Sequence, residues 1–472
     1  MARFSLIDNT SYTTEKHPIP EGFLNSRIYK ELRNTTLDSL RDKGVIIFPL
    51  KETATAGEKK AFFDDASDSG FRTTNLMGFL STSDSKETLV MNSRFAEKDS
   101  SAYFLHYMLE RVFHFNVFTC PNAYSDRDAI HDLMMLAFPY VLHEACRQGL
   151  YRTYVRRQMN DSRVRGTIDI ARHIRLNTPF TGDIAYTVRD FDVDNPVNEL
   201  IRHTIEYIRQ HPLAGILESS AIDDVTHIRR HVSDLRQSTP QYRLQDRRNI
   251  IAWNATHPLR HPLYTGYQDL QRLCLDILTH HRISIGEGKR NHIYGLVFDG
   301  SWLWEEYVAT LLRDRFFHPN NTANYGTQHL FEDGNDIVYP DFISRDGNPR
   351  IIADAKYKRA PKFSSGKSHI NRNDRFQILA YMLRFDAPHG VFIHPLTDAD
   401  ITTRKDYTLA SGVNLYGEHG ESDTSSHTQQ VHIRGIVIPQ QPGNAGEWTY
   451  ADFNKAIADN EQVFLKSIRF HS

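Results

Sequence analysis

The spacing of hydrophobic and polar positions changes character along the chain. Before residue 120 the apolar runs are short and strand-like. KGVIIFPL (43–50) predicts a short buried strand, and GFLSTSDSKETLVMNSRF (78–95) predicts a hairpin around a Ser/Asp/Lys turn. In AYFLHYMLERVF (102–113), Phe104, Tyr107, Met108 and Val112 recur every three to four residues, which predicts a helix. From about 120 to 285 the helical period dominates. DAIHDLMMLAFPYVLHEACRQGLYRTYVRR (128–157) reads as one long helix bent near Pro139. NPVNELIRHTIEYIRQHP (195–212) reads as a helix with Pro196 in its first turn and a stop at His211-Pro212. DDVTHIRRHVSDLRQ (223–237) and YQDLQRLCLDILTHHR (267–282) read as two more. Between the first two helices lies RVRGTIDIARHIR (163–175), which is strand-like and rich in arginine.

Beyond 286 helix and strand signals alternate. SWLWEEYVATLLRDRFF (301–317), NDRFQILAYMLRF (373–385) and TYADFNKAIADNEQVFLKSI (449–468) predict helices. GVFIHP (390–395) and VHIRGIVIPQ (431–440) predict strands, and the polar stretch 401–430 predicts a loop. The Trp302/Trp304 pair is expected to pack in a core. The fold class expected is α/β (α+β overall). The expected division is a β-containing domain at 1–118 that docks a partner, a mainly helical region at 119–285, and an α/β domain at 286–472.

Composition narrows the picture. A chain of 472 residues is too long for one core. Its apolar content of 40% and charged content of 24% are ordinary for a globular protein. A net charge of −2 means any basic surface must be local. Cys120, Cys146 and Cys274 form no CxxC pair, which speaks against a zinc site of usual spacing and for a reducing compartment. The opening residues lack a leader's apolar core, and no apolar run is long enough to span a membrane. A cytoplasmic location, with no membrane partner, is therefore expected. The 24 histidines are scattered. Even HPLRHP (257–262) and His280-His281 have no carboxylate or thiolate at ligand spacing, so they are expected to be surface or core residues.

Against that background VYPDFISRDGNPRIIADAKYKR (338–359) stands out, because strands that form cores seldom carry charges. Asp346-Gly347 signals a turn, and Asn348-Pro349 lengthens it. Strand alternation puts Ile352, Asp354, Lys356 and Lys358 on one face, and Ile351, Ala353, Ala355 and Tyr357 on the other. Folding back brings Asp341 roughly opposite residues 353–354. Two carboxylates can hold Mg²⁺ (or Mn²⁺) without saturating it, leaving room for a scissile phosphate and a water. Lys356 can orient or deprotonate that water, or steady charge on the phosphate. The competing reading is a surface hairpin with solvated charges. Between Arg345 and Arg384 stand ten Lys/Arg against three Asp, a local net of +7 suited to DNA phosphates. Lys358, Arg359, Lys362, Lys367, Arg372 and Arg375 are the candidates for that contact.

Pro340-Asp341 followed by Asp354-Ala355-Lys356 resembles the signature of the PD-(D/E)XK nuclease superfamily. Gln377 and Tyr381, one turn apart on a helix, resemble the added QxxxY motif of its RecB-like branch. LWEEYVATLL, YPDFISRDGNPRIIADAKYK and FQILAYM together are similar to McrC, the nuclease subunit of McrBC-type modification-dependent restriction systems. RVRGTIDIARHIRLN and Asn195-Pro196-Val197-Asn198 resemble that family's arginine-glycine segment and the helix after it. GFLSTSDSKETLVMNSRF resembles its N-terminal hairpin loosely. The resemblance implies a prokaryotic anti-phage DNA endonuclease with Asp341, Asp354 and a helical acid as metal ligands. Glu305 or Glu306 fills that last place. It implies an McrB-like AAA+ GTPase or ATPase ring as partner, docked and stimulated by the N-terminal part, with complexes pairing for double-strand cleavage. The chain has no GxxxxGK[ST] of its own, so the motor would be another chain. The long N-terminal region and the 401–430 stretch depart from the family pattern. Arg163, Arg165, Arg172 and Arg175 either contact partner or DNA, or stand on a solvated edge strand whose Ile168, Ile170 and Ile174 face a core. Two other functions stay open: a non-cutting activator of the motor, and a stand-alone RecB-like repair nuclease.

Overall fold

The computed structural model describes the chain apart from residues 1, 14–16, 43–44, 50–61, 65–69, 83–85, 97–101, 114–125, 220–221, 224–225, 262–263, 280–292, 320–325, 335, 346–348, 361–369, 398–404, 410–428, 442–447 and 471–472. The main strands are β1 (Ala2–Ile7), β2 (Val45–Phe48), β3 (Leu76–Thr82), β4 (Glu87–Asn92), β5 (Thr153–Asp161), β6 (Thr167–Ile168), β7 (Ile184–Asp192), β8 (Ile293–Asp299), β9 (Phe316–Phe317), β10 (Phe342–Ser344), β11 (Ile351–Ala355), β12 (His389–Leu396), β13 (Lys405–Thr408) and β14 (Gln430–Val437). The main helices are α1 (Tyr103–Phe113), α2 (Asp126–Cys146), α3 (Ile170–Leu176), α4 (Pro196–Arg209), α5 (Ile228–Ser238), α6 (Arg247–Thr256), α7 (Thr265–Thr279), α8 (Gly300–Leu312), α9 (Arg372–Arg384) and α10 (Tyr450–Ser467).

The chain packs as two compact units, Met1–Thr119 with Gly295–Ser472, and Cys120–Tyr294. The first and third stretches of the sequence division thus share one unit. The reason is β8, which enters the N-terminal sheet between β3 and β2, in the order β1-β4-β3-β8-β2. Where β3 and β8 meet, Gly78 and Gly295 have φ of 145° and 153°. A Cβ on either would stand 2.2 or 2.0 Å from a carbonyl oxygen of the other strand, so only glycine allows this approach. The second sheet of this unit runs β9-β10-β11-β12-β14-β13. β11, β12 and β14 are parallel, with α9 as the crossover between β11 and β12. Ile378, Met382 and Phe385 at α9 pack on Ile343, Ile352 and Phe392 of the sheet. Glu461 of α10 is buried and accepts hydrogen bonds from Tyr107 of α1 and Tyr307 of α8, both at 2.7 Å, and from Arg111 at 2.7 Å. One carboxylate therefore ties N-terminal and C-terminal helices together.

The second unit gathers α2 and α4 to α7 and carries a three-stranded sheet, β5-β7-β6. β5 and β7 pair antiparallel over nine residues each, Thr153 facing Asp192 and Asp161 facing Ile184. Asn195 caps α4 by accepting from Val197 and Asn198 N–H, both at 3.1 Å. The Asn195 and Asn198 side-chain amides donate to the Tyr151 carbonyl at 3.0 and 2.8 Å, fixing the helix start to the chain leading into β5.

A mixed α/β architecture is what the spacing predicts, and α1, α4, α7, α9 and α10 lie close to their expected positions. Other elements differ. The long helix expected at 128–157 ends at Cys146, and the YRTYVRR end of it becomes β5, because β7 offers it a ladder partner. RVRGTIDIARHIR is a two-residue strand followed by α3, since the Asp169 carboxylate caps a helix at the Arg172 N–H, 3.1 Å away. The helix expected at 301–317 stops at Leu312, and Phe316–Phe317 pairs with β10 instead. Within 401–430, Lys405–Thr408 forms an edge strand on β14 rather than loop, and 410–428 lie outside the described residues.

Candidate active site

β11 is an interior strand, with antiparallel β10 on one edge and parallel β12 on the other, and Ile378 and Met382 of α9 pack on Ile352 of its face. Ile351 to Asp354 are all buried, Asp354 being 1% exposed. Alternation continues past the strand end. Lys356 and Lys358 turn toward α9, and Tyr357 turns the other way. Phe342 pairs with Ala353, and just ahead of it Asp341 accepts the Ala355 N–H through Oδ2 at 2.7 Å. Lys356 Nζ lies 2.6 Å from Asp354 Oδ2 and donates to Gln377 Oε1 at 3.2 Å. The Gln377 amide in turn reaches the Tyr381 hydroxyl at 3.4 Å. The residues singled out in β10, β11 and α9 thus converge.

The helical acid comes from α8, whose start is fixed by Asp299 accepting from Ser301 and Trp302 N–H at 2.8 and 3.0 Å. Trp304 is fully buried and donates to the Ile393 carbonyl at 3.2 Å, so it is core. Glu305 and Glu306 lie 3.8 and 3.9 Å from His318 Nε2. Although 33% of its side chain is exposed, the Glu305 carboxyl is raised to about 8, by burial and then by the charges of Glu306 and Asp354. Burial, then Asp354 and Glu305, raise Asp341 well above the usual carboxylate range. Burial raises Asp354 too, against the pull of Lys356. Burial works against the Lys356 ammonium, but Asp354, Asp341 and Asp374 together outweigh it and raise its pKa.

The donor set suits a hard divalent cation. It is all carboxylate oxygen, and Asp354 Oδ1 is buried without a hydrogen-bond partner. The Asp354 charge raises both Glu305 and Asp341, and Glu305 raises Asp341 as well, a strain that positive charge among them relieves.

Two further groups belong to the site and were not among the sequence candidates. His318 Nδ1 contacts the Asp341 carbonyl at 2.6 Å, and its ring stacks on Phe342. No motif announces it. Asp374, in the first turn of α9, pairs with Lys358 and lies 4.0 Å from Lys356. A cavity of about 130 Å³ opens here, lined by Lys356, Lys358, Arg359, Asn371, Asp374 and His394. Arg372 and Arg375 are exposed on α9, and Lys362 and Lys367 lie outside the described residues, as does the 346–348 turn. On the other side, Tyr357 is gripped by the N-terminal stretch. Its hydroxyl is 2.8 Å from Ser93 Oγ, its ring lies under the Arg94 guanidinium, and Arg94 pairs with buried Asp8 at 2.6 Å.

The arginines of the second unit separate. Arg163, Arg165 and Arg175 are exposed, whereas Arg172 is half-buried and donates to the Met159 and Tyr186 carbonyls. Ile168, Ile170 and Ile174 do not face a core. They are exposed, Ile170 at 69%, alongside Leu176, Phe180, Tyr154 and Phe191. β6 is only two residues long, so Ile170, Ile174 and Leu176 leave the sheet on α3.

Residues 71–395 match the model of the McrBC 5-methylcytosine restriction system component family. The chain belongs to that family. Two solved structures are similar to this McrBC-family chain. One is a refined half-complex from the tetradecameric assembly of Thermococcus gammatolerans McrB AAA+ hexamers with bound McrC, at 13% identity and a TM-score of 0.39, covering 97% of this chain and 100% of that one. The other is the Thermococcus gammatolerans McrBC complex, at 12% identity and a TM-score of 0.27, covering 66% of this chain and 87% of that one. At these values neither assigns a role to a residue here. No curated protein matches the chain. Among the described residues, no helix of this family member is long and apolar enough to cross a membrane.

Proposed function

We propose that this McrBC-family chain is the Mg²⁺- or Mn²⁺-dependent DNA endonuclease subunit of a restriction complex, built on a PD-(D/E)XK domain at its C-terminal end. The observation that carries the reading is the buried Asp354 carboxylate, with an oxygen lacking a hydrogen bond, 2.6 Å from Lys356 and grouped with Asp341 and Glu305. Asp341, Asp354 and Glu305 would hold the cation. When bound, it would polarise the scissile phosphate and lower the pKa of a water. Lys356, whose ammonium Asp354 stabilises in the metal-free chain, would donate to the phosphate oxygens. Gln377, itself steadied by Tyr381, holds the ammonium in place. Arg359, Arg372 and Arg375 supply contacts to the DNA backbone beside the cavity.

The second part of the reading concerns delivery. The exposed isoleucines and aromatics of β5–β7 and α3, rimmed by Arg163, Arg165 and Arg175, form the face that engages an AAA+ partner ring. The similar Thermococcus gammatolerans assembly, in which McrC is bound to McrB AAA+ hexamers, agrees with that partner class. The test is DNA cleavage by the full chain with its AAA+ partner, with Mg²⁺ or chelator present. Cleavage that persists undiminished in chelator would end the proposal.

A further inference from the structure

The second unit holds another convergence of ligating side chains, unconnected with the acidic cluster. His131 and Asp132 are consecutive residues of α2, and His211 follows the C-terminal end of α4. Their ligand atoms all lie within 4.8 Å of one another. His131 and Asp132 are 3% and 2% exposed, and His211 is largely covered. His211 Nε2 is 3.8 Å from Asp132 Oδ1.

Second contacts orient the rings. His131 Nε2 lies 3.1 Å from the Ile277 carbonyl of α7. A carbonyl only accepts, so that nitrogen carries the proton and Nδ1 presents its lone pair. A ligating histidine is held this way, its other N–H given to a backbone carbonyl. His211 presents Nε2 to Asp132, and its Nδ1 meets the Leu213 N–H in a long 3.4 Å contact that ligation through Nε2 would give up. Tyr207, one turn before His211, stands beside both rings at 6.2 and 6.5 Å and screens the group. A His–Asp ion pair alone would account for His211 and Asp132, but not for a second imidazole directed to the same point.

We propose that His131, Asp132 and His211 bind one divalent transition ion of the zinc class, with water as the remaining ligand. Two imidazoles and one carboxylate suit Zn²⁺, whereas Mg²⁺ takes oxygen ligands. The ion joins α2 to the end of α4, with α7 as outer support, and so staples the helical unit. The sequence gives no sign of it, because His211 is far from the His131-Asp132 pair and spacing rules look for ligands close together.

The full-length chain carrying Asp354→Asn, which weakens the acidic site, is stripped with chelator and dialysed against Zn²⁺. One equivalent should remain bound, and Zn²⁺ should raise the melting temperature. Adding His211→Asn or His131→Gln should remove both the equivalent and the rise, with the metal-free melting temperature little changed. Should a variant fail to fold, X-ray absorption of the Zn²⁺-loaded chain decides the matter, with two imidazole nitrogens expected. A chain that retains no Zn²⁺, an all-oxygen coordination shell, or variants that bind like their parent would overturn the proposal. Loss of DNA cleavage is not a readout here, so the fate of the nuclease reading is separate.

Discussion

Asp354 places charge where charge is costly, and Ile170 and Phe180 place apolar surface where apolar surface is costly. Asp354 sits on an interior strand, and its neighbours hold that stretch from two sides through Gln377 and the Arg94–Tyr357 contact. The β5–β7 sheet with α3 has the opposite character: β5 alternates half-buried and exposed positions and contains no buried residue. Each region departs from the ordinary distribution of side chains, in opposite senses. The buried acids call for a small cation, and the exposed isoleucines call for a large partner. A third carboxylate shows what a purely structural one looks like. Glu461 is buried like Asp354 but has three donors, two tyrosines and one arginine.

That contrast can be broken by substitution. Glu461→Ala strands two buried tyrosine hydroxyls and unpairs Arg111, and should lower stability by about 3–5 kcal/mol in chemical denaturation. Asp354→Asn should cost less in metal-free protein, because it removes a charge that burial disfavours and leaves an amide oxygen to accept from Lys356. An equal loss from both variants would mean that the cluster is structural. Lys356→Met should lower cleavage about 10²–10³-fold while partner binding holds. Ile170→Ser with Phe180→Ser should weaken AAA+ partner binding about tenfold, near 1.4 kcal/mol, and shift unfolding by no more than about 0.5 kcal/mol per site. A large stability loss there would show that the face is core.

The smallest effect is in pH. The folded carboxyl of Glu305 is raised to about 8 from 4.5, so its contribution is fully present below pH 4.5 and is lost as pH rises through 8. Asp341 and Asp354 are raised and act in the same direction. Metal-free protein should therefore lose stability from this cluster as pH rises, and Mg²⁺ should restore it most on the alkaline side. Melting curves with and without Mg²⁺ across that range check the sign.

Much of the first region could be read in the sequence, because its chemistry is local. Asp354, Lys356 and Lys358 lie on one strand and Gln377 and Tyr381 on one helix, so alternation and helical spacing suffice to group them. His318 could not be read, since only the pairing of β9 with β10 carries it to the Asp341 carbonyl. Nor could the shared sheet be read, since β8 reaches β3 across the whole helical unit. In the second unit, strand signals in YRTYVRR were masked by apolar residues continuing the preceding helix period. One of the two readings of this segment has Ile168, Ile170 and Ile174 face a core, because alternation assumes one side of a strand is covered. Here the chain turns into α3 at Asp169, and among the described residues the three side chains are exposed.

The most direct measurement compares the full chain with its Asp354→Asn variant, each assembled with the AAA+ partner and given DNA and Mg²⁺. The account predicts metal-dependent cleavage by the parent and a loss of about 10³-fold in the variant, with partner binding and melting temperature preserved. Equal cleavage by the two proteins would contradict it.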